Sequence, residues 1–375
     1  MICKTGLLAI LLPVLLAGSL TFPAAAEPGT ETSYVESGQT LEQASRQGLR
    51  EAASTPRAEN PAGVSAPFMR SYDPAAGYTV IGRAGAVQTH TESIGLSDGA
   101  SITMLKGTET GQQLCLVLSD GKGHLVIVDG GQKTNAGYLA RYIKAHGGKV
   151  DAWLLTHPHS DHVGALAVML EQQKSGGLSD YAGISMGEIY HSFAPMDFYQ
   201  REEEAYRLPM IEEIYRDIAD YDQTKVHYNA PAGTLLDIGG IHIEIMNQAY
   251  QFSVDSGNNS SIVYKITIGG KTLLVTGDLP YEAAEQLLRD RGAEALRADI
   301  VQMAHHGQHG GSPAFYQAVS PEYVLWPTHQ ALWAQVNDGF SEEQETYTIA
   351  LTKHWIDGLS VRRNFVMAEG DWTLN

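Results

Sequence analysis

Three imidazoles and one carboxylate fall between residues 157 and 162, in the stretch Thr156-His157-Pro158-His159-Ser160-Asp161-His162. Neutral imidazole and carboxylate are the usual ligands of zinc and similar divalent cations. Single loop histidines are common, but four potential ligands at this density are not. Val150-Asp151-Ala152-Trp153-Leu154-Leu155 before the cluster reads as a short buried strand, and Val163 to Leu170 after it reads as a helix. The cluster thus sits in a strand-to-helix turn, where side chains can converge on one point. His157 and His159 are two apart, and alternate side chains of an extended turn point the same way. Both can reach one cation, a first site. Asp161 and His162 come one step later, as the helix begins, and can face a second. Pro158 stiffens the turn.

Three other stretches carry related chemistry. Leu125-Val126-Ile127-Val128-Asp129-Gly130-Gly131 is an apolar run ending in a carboxylate, and Asp129 is placed to orient a ligand histidine from behind. Leu273-Leu274-Val275-Thr276-Gly277-Asp278 ends another apolar run in a carboxylate with a glycine neighbour. Asp278 can bridge two cations there, or cap the helix that starts at Pro280. Val301-Gln302-Met303-Ala304-His305-His306-Gly307 delivers two adjacent histidines. His191, after an apolar strand, is either a further ligand or an ordinary core-edge residue. His227 and His242 lie within strand patterns and read as structural.

In this order, between Ile102 and Gln330, the four motifs resemble the metallo-β-lactamase superfamily, whose HxHxDH signature is matched by His157 to His162. The resemblance implies an α/β fold, the αββα four-layer sandwich, with a di-metal site at one edge. It implies Asp278 as the bridging ligand. It favours His305 as a second-site ligand, leaving His306 to hydrogen-bond the substrate or the carboxylates. One place departs from the family. A third first-site histidine belongs ahead of the strand pair that leads to the bridging Asp, and Gly257-Asn258-Asn259-Ser260-Ser261 stands there. Asn is a poor transition-metal ligand, so the first site is open, weaker, or completed by His191. The Asn-Asn-x-Ser, Thr-Gly-Asp and Ala-His-His-Gly patterns narrow the resemblance to the metallo-β-lactamase-like domain of the ComEC family of DNA-uptake channels. That domain is associated with phosphodiester cleavage. Only this hydrolase portion is similar, and not the family's long transmembrane channel.

The implied chemistry is hydrolysis. Two close cations lower the pKa of a shared water toward neutrality, and Asp161 and Asp278 would hold and orient the hydroxide for attack at phosphorus or a carbonyl carbon. The leaving group needs a proton, for which His306, His309 and His329 are candidates. His309 lies in Gly307-Gln308-His309-Gly310-Gly311, which reads as a flexible loop able to close on substrate. The expected protein is a secreted metal-dependent hydrolase, a phosphodiesterase or phosphoesterase. It would hold two divalent ions, zinc by default for a His-rich site without Cys, with manganese or iron as alternatives. A second expectation is hydrolysis of a lactam, lactone or thioester, whose lactam version the missing histidine weakens. A third is a metal-binding module without turnover. The intact His157, His159, Asp161, His162 and Asp278 argue against that one.

Composition limits the substrate. The formal net charge of the 375 residues is −18. An acidic chain repels polyanions and lacks the Lys/Arg surplus that drives phosphate-backbone binding, so a small or cell-envelope phosphoester suits it better than duplex nucleic acid. Lys4, an apolar stretch from Leu7 to Leu20 and Pro23-Ala24-Ala25-Ala26 read as a signal peptide cut after Ala26. Ser19 stands where a lipidated Cys would be, so no stable membrane anchor is expected. Cys115 is then the single cysteine left, in an apolar run that reads as buried. Residues 27–95 read as a low-complexity extension and 96–375 as the hydrolase domain. Within the domain, strands are expected at Ser101–Leu105, Gln113–Leu118, His124–Val128, Gly187–Phe193, Thr234–Ile238, Ile241–Met246, Ser261–Ile268, Lys271–Val275, Asp299–Met303, Tyr323–Trp326 and, last, Asn364–Met367. Helices are expected at Tyr138–His146, through much of Phe198–Tyr221, and at Pro280–Arg291, Pro313–Val319 and Ser341–Ile356.

Overall fold

Runs of buried apolar residues set the architecture. In the computed structural model, which describes residues 87–176, 180–334 and 349–375, strands in chain order fill one sheet, then a second, and the last returns to the first. The first sheet takes β1 (Thr89–Glu92), β2 (Ser101–Met104), β3 (Cys115–Ser119), β4 (Leu125–Asp129), β5 (Lys149–Leu154), β6 (Ser185–His191) and β7 (Val226–Tyr228). The second takes β8 (Leu235–Ile238), β9 (Ile241–Ile245), β10 (Tyr264–Ile268), β11 (Lys271–Val275), β12 (Ile300–Gln302), β13 (Tyr323–Trp326) and β14 (Arg363–Val366). β15 (Asp371–Leu374) then lies between β1 and β2, parallel to the former and antiparallel to the latter.

Facing residues of the two sheets form a shared core. Val126, Val128, Ala152 and Leu154 of β4 and β5 meet Ile243, Ile266, Leu273 and Ile300 of the other sheet. The alternate residues Leu125, Ile127 and Trp153 point outward, under α1 (Ala136–Ala145), α2 (Ser160–Lys174), α3 (Met196–Glu202) and α4 (Leu208–Asp220). A single helical turn, α5 (Ser256–Asn259), precedes β10. Leu274, Val301 and Val324 point outward from the second sheet, under α6 (Tyr281–Arg291), α7 (Ala293–Leu296), α8 (Pro313–Val319), α9 (Gln330–Trp333) and α10 (Ile349–Asp357). Strands apolar on both faces are what a sheet covered on both sides requires. The result is the expected αββα sandwich.

Several expected boundaries move. β1 and the buried Ile94 lie within the stretch read as extension, so the domain begins before residue 96. Asn364–Met367 is not the last strand, because Gly370 (φ 139°) turns the chain into β15. Phe198–Tyr221 divides into α3 and α4, with Pro209 in the first turn of the second helix, where its missing N–H costs nothing. The expected signal peptide and residues 341–348 of the last expected helix lie outside the described residues. Among the described residues, no helix is long and apolar enough to cross a membrane.

Four strands position the chemistry. β4 and β5 run parallel, as do β11 and β12. The turns after their carboxyl ends carry Asp129, His157 to His162, Asp278, and His305 with His306.

Candidate metal centre

The turn after β5 is held by the one after β4. Asp129 is fully buried with φ 60°. Its carboxylate accepts from the Thr156 backbone N–H (2.8 Å), the Thr156 hydroxyl (2.8 Å) and His162 Nδ1 (2.7 Å). The Thr156 hydroxyl also faces His157 Nδ1 at 3.1 Å. His306 Nδ1 donates to the Pro327 carbonyl at 2.8 Å. Each of these three rings is therefore gripped through Nδ1, which leaves the Nε2 lone pair pointing inward. Ligand histidines recurrently have this arrangement.

Asp278 receives them. After β11, the Thr276 and Gly277 N–H groups both donate to Gln302 Oε1, and Gln302 Nε2 donates back to the Gly277 carbonyl. Gly277 has φ 57°, and a Cβ there would meet the Thr156 side chain at 2.7 Å. Only glycine permits that approach, and it brings Asp278 against the HxHxDH turn. Asp278 Oδ1 is 3.1 Å from His162 Nε2, and Oδ2 is 3.3 Å from His306 Nε2 and 3.8 Å from His157 Nε2. Asp161 Oδ2 is 3.1 Å from His306 Nε2.

These contacts test whether a cation fits. Donors around one tetrahedral ion with bonds of about 2.0–2.2 Å lie roughly 3.3–3.6 Å apart. One ligand atom from each of Asp161, His162, Asp278 and His306 lies within 4.8 Å of all the others. Yet Nε2 of His157, His162 and His306 and Oδ1 of Asp278 are buried without a hydrogen-bond partner. The atoms converge on a point rather than aim at one another. Burying such atoms unpaired would be costly, and a divalent cation held by Asp161, His162, Asp278 and His306 satisfies those of His162, His306 and Asp278 together. The donor set fits.

Charge supports the fit. Burial pushes His306 down, but Asp278 and Asp161 outweigh it and raise its pKa to about 9. Burial likewise opposes His162, and Asp278 with Asp129 more than reverses it. Burial raises Asp278, while His162 and His306 hold it well below the carboxylate range. Two acids here demand positive charge, which a cation supplies without protons on the Nε2 atoms.

Some expected residues fall elsewhere. It is His306, not His305, that joins Asp161, His162 and Asp278. Both residues have positive φ, 49° and 56°, so their side chains diverge from the turn. His305 Nε2 is 4.0 Å from Asp278 and takes the Asn258 amide at 3.3 Å. That places His306 among the donors rather than as a free proton donor. His191 is not part of the four-residue group. Its ring lies by Phe193 and Tyr228, and burial lowers its pKa to about 4, as for an uncharged core-edge histidine. The loop of His309 is tied down, because Gly310 bridges Pro280 and the Gly311 N–H donates to the Leu279 carbonyl at 3.0 Å. His309 itself is exposed, its ring 6.1 Å from that of His305. His329 Nδ1 accepts from the Leu332 N–H and caps α9.

An open cleft of about 320 Å³ leads to the donors, lined by Gln112, Gln132, Tyr206, Arg207 and Asn258 among others. Sequence reasoning did not single out Gln302, Arg207 or Glu203, which approaches His159 from the segment between β6 and β7. Gln302 stands in an apolar strand, and a buried amide there is a signal that could have been read.

The model of the metallo-beta-lactamase superfamily matches residues 108–179, which include Asp129 and the whole HxHxDH turn. The competence protein ComA of Neisseria gonorrhoeae is 34% identical over 87 residues, 23% of this chain and 12% of that protein. ComE operon protein 3 of Bacillus subtilis is 26% identical over 189 residues, 50% of this chain and 21% of that protein. The chain spans a minor part of either relative's length. Among solved structures, the metallo-beta-lactamase fold protein YhfI from Bacillus subtilis aligns with a TM-score of 0.43 at 15% identity, covering 73% of this chain and 99% of that one. The motifs, the two-sheet sandwich that presents them and the match across the HxHxDH turn agree: residues 108–179 match the metallo-beta-lactamase superfamily, and ComEC-type proteins are among the relatives the chain is similar to.

Proposed function

We propose that the protein is a metal-dependent hydrolase of phosphodiesters. The observation that carries this reading is the inward convergence of three unpartnered Nε2 atoms on the Asp278 carboxylate. His162, His306, Asp161 and Asp278 would hold one divalent ion, and His157, His159 and Asp278 a second. Bound there, such ions activate water and neutralise charge on a phosphoryl group. The remaining work belongs to the chain. Asp161 and Asp278 present carboxylate oxygens that would hold and orient the attacking water. Gln112 and Gln132 bring side-chain amides to the cleft, and the Arg207 guanidinium adds the positive charge an anionic oxygen needs. His309, whose ring is 6.1 Å from that of His305, is the candidate to return a proton to the leaving group. A cleft lined by donors suits a phosphoester better than a neutral lactam. Export belongs to the same reading and rests on the sequence of residues 1–26.

The test uses the full chain. Bound metal is counted by elemental analysis, and bis-p-nitrophenyl phosphate, a phosphomonoester and a chromogenic lactam are assayed. Two metals per chain with diester turnover, both lost in Asp278→Ala, are expected. Turnover of the lactam alone would move the activity to carbon-centred bonds. Less than one metal and no turnover after adding zinc or manganese would reject the enzyme.

A further inference from the structure

His159 differs from the other histidines of the site. His157, His162 and His306 are gripped through Nδ1 and turn Nε2 inward, whereas His159 is approached at Nε2. Two residues from the connection between α3 and α4 meet that atom. Glu203 Oε2 lies 3.6 Å from it, and Arg207 Nη1 is directed at it from 3.2 Å. The Glu203 side chain is only 2% exposed and is fixed from several sides. Its Oε2 accepts from the Gly257 N–H (2.5 Å) and the Ser256 hydroxyl (2.8 Å), and its Oε1 from Arg207 Nη1 (3.3 Å) and the Glu204 N–H (3.1 Å). Gly257 completes the contact. A Cβ there would stand 2.1 Å from His159 Nε2 and 2.5 Å from Glu203 Oε2. The Gly257-Asn258-Asn259 turn, which stands where a third first-site histidine was expected, therefore lets a carboxylate reach the back of His159.

A neutral imidazole has one N–H and one lone pair, so its two approaching partners ask for opposite tautomers. An N–H donated from Nε2 to Glu203 leaves the Nδ1 lone pair for a cation. A guanidinium N–H donated into Nε2 puts the ring proton on Nδ1 and removes that lone pair. From this geometry we infer that Glu203 is a positioning residue that sets His159 to bind metal through Nδ1, and that Arg207 opposes it. This rests on the metal-dependent reading above. It assigns to the connection between β6 and β7 a control over the first cation site that the HxHxDH turn alone does not supply. Arg207 also lines the cleft, so an anion that draws its guanidinium away would release His159 to the Glu203-bound tautomer.

The experiment is a calorimetric titration of Mn²⁺ and of Zn²⁺ into the full-length wild type and into Glu203→Ala, Glu203→Gln and Arg207→Ala. Loss of a carboxylate behind a ligand histidine lowers metal affinity roughly 10–100-fold. Glu203→Ala is expected to show that loss for the weaker of two ions and leave the tighter unchanged. Glu203→Gln, which keeps an acceptor and guards against a folding defect, is expected to lose less. Arg207→Ala is expected to tighten the weaker ion severalfold. A merely structural role would move Glu203→Ala and Arg207→Ala in the same direction, and that result overturns the inference. So does unchanged binding in both glutamate variants. Binding of no ion by the wild type would overturn the metal-dependent reading as well.

Discussion

One buried carboxylate stands in the turn that leads from β3 into β4 and another closes β4, and the two ends solve the same problem differently. Ahead of its first residue, Asp120 is 3% exposed, and its oxygens accept from the backbone N–H groups of Lys122, His124 and Gly240 and contact the His124 ring at 2.7 Å. Every lone pair with a burial cost has a donor. At the other end, Asp129 is equally well served, but the groups gathered beyond it are not. His157, His162, His306 and Asp278 each keep a buried polar atom without a hydrogen-bond partner. Burial of charge therefore does not separate structure from function. The separation lies in whether the polar atoms close on one another or on a shared point in space.

That contrast can be broken most directly at its centre. His306→Ala removes one of the four converging donors, and His305→Ala removes a neighbour that lies outside them. His306→Ala should lower the affinity of the tighter ion by more than the roughly 10–100-fold typical of losing an outer partner, and His305→Ala should leave that ion in place. Isothermal titration of both variants decides it. If the two losses are reversed, His305 is the ligand and the ring orientations described above are wrong.

A smaller effect is expected one layer out. Asp129→Asn keeps the size of the side chain but replaces one accepting oxygen with a donor, facing the Thr156 hydroxyl or His162 Nδ1. Metal affinity should drop about 10–100-fold. Far-ultraviolet circular dichroism should be unchanged, because the strand pairing of β4 with β3 and β5 does not use the carboxylate. An unaltered affinity would mean that Asp129 only staples the turn.

Much of this was legible in the sequence, for physical reasons that differ by residue. The sandwich shows because strands covered on both faces, such as Leu125–Asp129, read as unbroken apolar runs. The HxHxDH turn shows because its ligands are close along the chain. His305 and His306 could not be separated by spacing, since two adjacent residues at positive φ turn apart in a way that no periodicity encodes. β1 and β15 were missed because Thr89–Glu92 is half-exposed and Asp371–Leu374 follows a glycine break, so neither has a clear pattern. Glu203 and Arg207 fall within Phe198–Tyr221, which read only as largely helical. Their role depends on Gly257, some fifty positions later, where the informative feature is a missing side chain.

The last prediction sharpens the contrast from the structural end of β4. Asp120→Asn keeps the shape of the side chain and loses the charge that three backbone N–H groups and the His124 ring stabilise. Burial pushes the Asp120 carboxyl up, but those donors outweigh it and hold it well below the ordinary carboxylate range. A carboxyl whose pKa is lowered by folding adds stability above its unfolded value of about 3.9, and that contribution is lost as pH falls through the folded value. Asp120→Asn should therefore cost about 1–3 kcal/mol at pH 7, the usual range for a buried group deprived of its partner, and the gap from wild type should narrow on acidification below about pH 4. Urea unfolding at pH 7 and pH 3 measures both. Metal affinity at pH 7 should not move relative to wild type, because the Gly240 contact ties the β3–β4 turn to the β8–β9 turn and leaves the β5 turn untouched. A variant that lost metal along with stability would show that the two ends of β4 are coupled through the strand, and the division between a closed polar cluster and a converging one would no longer hold.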